Sequence, residues 1–385
     1  MSETQAFSLS IKFSDPLVKT NRSTLTQSLN SINSYSHELR LIGGYYSADI
    51  QFTGSEEAIN DWIQSGINRH IEVYNSALEK IWEGFVNQLE IVFGENTYSI
   101  GPLIEIGNEV RVDYSAIDYS IYPPAFGIQT STAFASNTAS QALYGEWQKI
   151  VSISGATDTE AEQIRDTYLN DPLLAFPPVS NRLTLGNSNQ PVVTLKCLGY
   201  WHYLKAYYYT NNATGQINIS QQIEDVLAAD VNSVFSTDYS KITENTVQVT
   251  DGIAQDVLAE GLIKRLVSIG DASDNPYSVG FYNDRVLSYK VYPTSIKYQK
   301  RRGQRITDNL GGVIQPWDVK PAQWIFQPDM LVGRHPPITS ETLGLDPRAM
   351  LIDNVKYSTP YGLNLTGKKY SQLDQMLAKN GLGTL

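Results

Sequence analysis

The chain of 385 residues contains one cysteine, four histidines and four methionines. A lone Cys197 excludes an internal disulfide and leaves the redox compartment open. It stands in "VVTLKCLGYWHYL", an apolar strand-like run, so the simplest reading is a buried thiol acting as a small hydrophobe. His37, His70, His202 and His335 are scattered singly, so neither H-E-x-x-H nor a Cys/His zinc spacing exists. No stretch approaches the ~20 apolar residues of a bilayer span. The start, "MSETQAFSLSIKF", has no basic segment followed by an apolar one, so no signal peptide is expected and synthesis is expected in the cytoplasm. Long runs of positive charge are missing too. The net charge is −11, and "YQKRRGQR", with Lys300, Arg301, Arg302 and Arg305, is the single basic cluster. That argues against a dedicated nucleic-acid binder, which needs clustered cations to neutralise phosphate.

The familiar signatures of catalysis are equally scarce. There is no G-x-G-x-x-G between a strand and a helix, no G-x-x-x-x-G-K-[ST] and no G-x-S-x-G elbow. Glu56-Glu57 and the acids around Glu160 read as charges at helix N-termini. "DASDNPYS" lacks the order of a calcium loop with its closing Glu. No catalytic, cofactor-binding or metal-binding residue is assigned, and the chain is read as a non-enzyme.

What remains is aromatic and β-prone, with 24 tyrosines among 385 residues. Phe7, Leu9, Ile11 and Phe13 alternate with polar neighbours, as in a half-buried strand. "LRLIGGYYSADIQF" carries two more strands, with a bend or bulge at Gly43-Gly44. A short helix follows, capped by Ser55 and closed by Gly66, and its Trp62 is placed against a sheet. In "IEVYNSALEKIWEGFVNQLEIVF" the central "NSALEK" is a hairpin connection. The return strand puts Ile81, Phe85, Leu89, Ile91 and Phe93 on one face, interrupted by Glu83 and Asn87, and Trp82, Val86 and Val92 on the other. Gly84 leaves room for a bulge or for the Trp82 ring. Apolar residues on both faces predict cover on both sides, as in a closed barrel whose outside meets a helix or another subunit.

"SQALYGEWQKI" and "DTEAEQIRDTYLNDP" read as helices, the second capped at Asp158 or Thr159. "ISQQIEDVLAAD" and "DGIAQDVLAEGLIKRLVSIG" read as two more, and Asn283-Asp284 as a tight hairpin turn. "SQLDQMLAKNG" reads as a terminal helix closed by Gly381. The expected fold is mainly β with α/β insertions. Residues 1–120 form a first β-barrel region with a short helix, and 121–190 a helical and loop insertion. Residues 191–300 form a second β-rich α+β region, and 301–385 an extended C-terminal segment with its helix. Tyr45-Tyr46, Trp201 and Tyr207-Tyr208-Tyr209 offer stacking surfaces for sugars, although strands and subunit contacts are the simpler use of tyrosine.

In their order along the chain these segments resemble the tail-tip hub proteins of tailed bacteriophages. The resemblance runs through "RHIEVYN", "WEGFVN", "GP", "NEVRVDYS" and "SQALYG". It continues through "VVTLKCLGY", "ISQQIEDVL", "IGD", "GFYNDRVLSY", "PWDVKPAQWIF" and "DPRAMLID", covering most of residues 38–375. It implies two tail-tube-like β-barrels joined by smaller segments, and assembly as a homotrimer that presents a pseudo-sixfold ring. The implied partners are a tube or distal-tail ring protein, the tape-measure protein and fibre or spike proteins, with DNA passing through without specific binding. The implied place is the virion tail tip, assembled in the host cytoplasm. A sixfold distal-tail ring protein and a carbohydrate- or receptor-binding tail protein are the alternatives. Because no fibre or peptidoglycan-cleaving domain is seen after residue 385, host binding or wall digestion is expected of other chains.

Overall fold

The computed structural model describes residues 10–14, 25–29, 31–118, 125–183, 191–273, 275–291, 296–299, 307–308, 325–327, 350–359 and 362–368. The basic cluster 300–305, His335 and the expected terminal helix lie outside the described residues.

The chain opens with β1 (Ser10–Ser14), β2 (Leu25–Ser28), β3 (Ile32–Arg40) and β4 (Ile42–Thr53). Helix α1 (Glu56–Ser65) follows, its Ser55 Oγ accepting from the Ala58 N–H at 3.3 Å. Its Trp62 packs on Phe13 and Phe52, with ring centroids 5.0 and 5.7 Å away, as the helical spacing predicts. Next come β5 (His70–Tyr74), β6 (Lys80–Phe93) and β7 (Asn96–Ile100), then β8 (Glu109–Asp118), β9 (Ala125–Ser131) and β10 (Ala135–Ser136). Helix α2 (Thr138–Tyr144) stops at Gly145, whose φ of 82° turns the chain into β11 (Gln148–Ala156). The helix expected through "SQALYGEWQKI" is therefore half helix and half strand.

Helix α3 (Asp158–Asn170) is capped by Thr157, ahead of both expected caps, Asp158 and Thr159, because Glu160 completes a capping box with it. It runs into α4 (Pro172–Ala175), β12 (Val179–Leu183) and β13 (Val192–Leu198). After a 3-10 turn at Tyr200–Lys205 come β14 (Tyr208–Asn211), β15 (Gln216–Asn218), α5 (Ile219–Ala228), β16 (Gln248–Thr250) and β17 (Ile253–Leu258). Helix α6 (Ala259–Ile269) therefore begins later than the sequence suggests. Residues 253–258 pair with β14 instead, and strand pairing with the Tyr208–Asn211 segment overrides their helical spacing. The hairpin β18 (Tyr277–Tyr282) and β19 (Val286–Val291) turns at Asn283–Arg285, as read from sequence. The last described strands are β20 (Ile296–Gln299), β21 (Thr307–Asp308), β22 (Ile325–Gln327), β23 (Met350–Ser358) and β24 (Gly362–Lys368).

Sixteen strands share one mixed sheet, with the path β2-β1-β5-β6-β13-β4-β3-β23-β22-β20-β21. The path is open, and among the described residues no barrel closes, which corrects the expectation of two barrels. The reason lies in what covers the strands. Apolar residues face both ways along β4, β6 and β13, but the Tyr200–Lys205 turn of the same chain packs on β4 and β6, with α6 behind the turn, within one buried cluster. The sheet also crosses the expected boundaries, since β13 lies between β4 and β6, pairing Leu195 with both Ile50 and Leu89.

A second, four-stranded sheet sets β11 parallel to β8, with β9 and β10 on the other side of β8. Residues 121–190 thus contribute strands as well as helices. Among the described residues no helix is long and apolar enough to cross a membrane.

Candidate functional site

The densest polar cluster lies inside the β5–β6 hairpin. Register places Glu72 directly opposite Glu83, a like-charge pair that alone opposes folding. Lys80, the first residue of β6, resolves it. Its Nζ lies 2.6 Å from Glu72 Oε1, 2.9 Å from Glu83 Oε2 and 2.8 Å from Asp284 Oδ1 in the β18–β19 turn. Burial works against the Lys80 ammonium, but Glu83, Asp284 and Glu72 outweigh it and raise its pKa. Burial likewise opposes the Glu72 carboxylate, yet hydrogen bonds from His70, Lys80 and Tyr74 bring its pKa down to about 2. Glu83 also accepts the backbone N–H groups of Asp284 at 3.0 Å and Arg285 at 2.6 Å, tying this hairpin to the next. Beside it, the Tyr45 hydroxyl donates to Asn283 Oδ1 at 2.6 Å.

His70 completes the cluster. Its Nε2 is 3.2 Å from Glu72 Oε1, and its Nδ1 is 2.6 Å from the Tyr200 hydroxyl and 3.1 Å from the Gly84 carbonyl. The ligand atoms of His70, Glu72 and Glu83 lie within 4.8 Å of one another, close enough for a metal ion. The position facing both carboxylates is held by the Lys80 ammonium, so a cation would have to displace it. A His–Glu pair of this kind can move protons, but both side chains are under a tenth exposed, away from any substrate. The arrangement is suited to joining strands. The sequence reading missed it, although one signal was there: Glu72 and Glu83 flank the hairpin turn at nearly matched positions.

The other singled-out residues are also engaged internally. Cys197 is buried and burial pushes its thiol pKa up, in line with the inert reading. His37 is buried with the Tyr35 hydroxyl 2.8 Å from its Nδ1, and burial lowers its pKa to about 3. Burial lowers His202 to about 3 as well, helped by Lys205, Arg40 and Lys264. Trp201 donates from Nε1 to Glu260 at 2.9 Å and Tyr207 to the Val226 carbonyl at 2.8 Å, both from the interior. Tyr45 and Tyr209 are buried, while Tyr46 and Tyr208 are half-buried. Sugar stacking on Tyr45, Trp201, Tyr207 or Tyr209 would need the core to open, and the Tyr46 ring already carries the Arg40 guanidinium 3.5 Å from its centroid. Glu56 and Glu57 sit in the first turn of α1 and Glu160 in its capping box. Asp271 folds its own turn, accepting from the N–H groups of Ser273 and Asn275 at 2.8 and 2.9 Å.

The surface offers a different kind of site. Every residue of β12 is exposed, and among the described residues β12 pairs only with β7. Val179 and Leu183 are each 65% exposed, and Phe93, Tyr98 and Leu183 lie on the same uncharged face of the β6–β7–β12 ribbon. Among the described residues nothing covers this apolar sheet face or the strand edge beside it. A second feature is a groove of about 690 Å³ between β11 and α3. A third is a cleft of about 800 Å³ lined by Val247, Val249, Ile253, Leu262 and Arg265 between β16, β17 and α6.

No protein-family model and no curated protein matches the chain. Among solved structures it is similar to the 43 kDa tail protein of prophage MuSo2 from Shewanella oneidensis. That similarity has 8% identity, a TM-score of 0.41, and covers 94% of this chain and 97% of that one. It is also similar to the prophage tail protein gp18 from Listeria monocytogenes EGD-e, with 11% identity, a TM-score of 0.34, and coverage of 97% and 99%.

Proposed function

We propose that this protein is a structural component of a phage tail, a ring-forming hub at the tail tip that works through binding surfaces rather than catalysis. The observation that carries the reading is the uncovered ribbon β6–β7–β12. A solitary protein gains nothing from leaving Val179 and Leu183 in water on a free strand edge, whereas a ring subunit buries such a strip against its neighbour. The order of segments resembling phage hub proteins supports the same reading. The polar clusters agree with it, because Lys80 and Trp201 hold the fold together from within and Asp271 only folds its own turn.

In this reading the copies form a homotrimer bound to a tube or distal-tail ring protein, with the tape-measure protein on the axis and fibres or spikes outside. The net charge of −11 suits a conduit that must release DNA instead of holding it. Mass photometry of the purified chain, alone and with a distal-tail ring protein of the same phage, tests this directly. Threefold particles are expected; sixfold particles would reassign the chain to the distal-tail ring. A strict monomer at high concentration that takes up no ring partner would overturn the reading.

A further inference from the structure

We infer that β12 of one copy adds to the free edge of β11 in a second copy, with Val179 and Leu183 seated in the groove beside α3. The inference rests on the ring reading above and specifies how one copy meets the next. Among the described residues β11 has β8 as its strand partner; on its outer side the Gln148 N–H donates to the Ala206 carbonyl at 2.7 Å and the Ile150 backbone meets the Tyr208 side chain, so the edge has no such partner from Ser152 onward. Helix α3 packs chiefly over β8, which leaves the outer flank of β11 open as the groove of about 690 Å³. Ile153, Ile164 and Leu174 give it an apolar lining, with Ile164 and Leu174 39% and 38% exposed, and Gln163 and Thr167 lie between them.

Strand β12 has the complementary pattern. Val179, Asn181 and Leu183 share one face by strand alternation, two aliphatic side chains flanking an amide. On this placement Val179 and Leu183 meet the apolar lining and Asn181 meets Gln163 or Thr167.

Charge selects this pairing over self-pairing of like edges. Residues 158–171, which form α3 and its exit, carry Asp158, Glu160, Glu162, Asp166 and Asp171 against Arg165 alone. Residues 172–223, which contain β12, carry Arg182, Lys196 and Lys205 and no acid at all. Two β11 edges would bring acidic helix to acidic helix, whereas β12 against β11 brings an acid-free strand to an acidic groove. The contact is heterologous, the kind that generates a ring where the rotation closes.

The test uses the full chain and two exposed positions, Ser154→Cys in β11 and Asn181→Cys in β12, with the native Cys197 buried. Each variant is made with a tag of different size, and a short bis-maleimide is added to the two separately and mixed. The expected result is a crosslinked species in the mixture only. Crosslinking of Asn181→Cys alone would show β12 pairing with itself and would overturn the inference. In parallel, Val179→Asp with Leu183→Asp is expected to weaken self-association on the order of 100-fold by removing two buried aliphatics. Leu78→Asp, at an equally exposed site in the β5–β6 turn, should leave it unchanged. Oligomers that persist in the double variant and give no mixed crosslink overturn this contact while leaving the ring reading intact. A chain that never self-associates overturns both.

Discussion

Lys80 is a single ammonium serving three carboxylates, two of them buried and directly opposite each other in the hairpin. Lys80→Met keeps the length of the side chain and removes the charge, leaving Glu72 and Glu83 facing each other without their counterion. Breaking a buried pair from one side costs about 3–5 kcal/mol, and urea unfolding at neutral pH should show a loss of that size. The pH dependence has a definite sign. The folded pKa of Glu72 lies near 2, below its ordinary value of 4.5, so its contribution is present above about 4.5 and is lost as pH falls towards 2. In the variant the Lys80 share of this depression is lost while the hydrogen bonds from His70 and Tyr74 remain, so the gap between wild type and variant should narrow as the pH drops through that window. An equal gap at neutral and at acid pH would show that Lys80 acts through packing alone. The residue types of this cluster were visible in the sequence, but the pairing was not. It depends on the register of β5 on β6 and on Asp284, some two hundred positions away.

At the level of elements, the strongly patterned segments were legible. Ser55, Trp62 and Gly66 define α1, "NSALEK" turns the first hairpin, and Asn283-Asp284 the second. Alternation along β6 breaks first at Ile81, since Val73 pairs with Trp82 but Tyr74 with Lys80, and from there the faces are legible only as far as Asn87. There β6 has one residue more than β13, which pairs Cys197 with Val86 but Lys196 with Gln88. This bulge moves Leu89 to the face of Val86 and away from that of Phe85, a change that alternation read from sequence has no means to detect. Gly84, in contrast, was placed correctly. A Cβ there would lie 2.2 Å from the Leu198 carbonyl oxygen and 2.4 Å from the Trp82 ring. Gly84→Ala must push β6 away from β13 or turn the indole, and overpacking of this kind costs about 1–3 kcal/mol or more. Cys197, paired with Val86 two residues on, reports on the damage. Its buried thiol should react faster with an aromatic disulfide in Gly84→Ala than in wild type, and an unchanged rate would mean the strand tolerates the methyl group.

For the molecule as a whole, the sequence reading divided what the sheet unites. It separated residues 1–120 from 191–300 because Pro-, Ser- and Thr-rich segments and helices stand between them, and local composition carries no record of which strand returns to which. In the fold, β13 fills the gap between β4 and β6, pairing Val193 with Phe52 and Ile91, and Leu195 with Ile50 and Leu89. The β18–β19 hairpin is bound just as closely: β18 lies parallel to β4 at Gly43 and Gly44, where a Cβ on Gly44 would come within 2.3 Å of Phe281. A chain divided between residues 183 and 191 therefore cannot give two independent folded halves. The first half alone leaves the inner edges of β4 and β6 unpaired, with Ile50, Phe52, Leu89 and Ile91 uncovered, and should be insoluble when expressed by itself. Coexpression with residues 191–385 restores the missing strand and the helices behind it, and the halves should co-purify with the far-ultraviolet circular dichroism of the intact chain. Recovery of a soluble, cooperatively unfolding first half without its complement would show that β13 is an addition to a core complete without it, and the divided architecture would be reinstated.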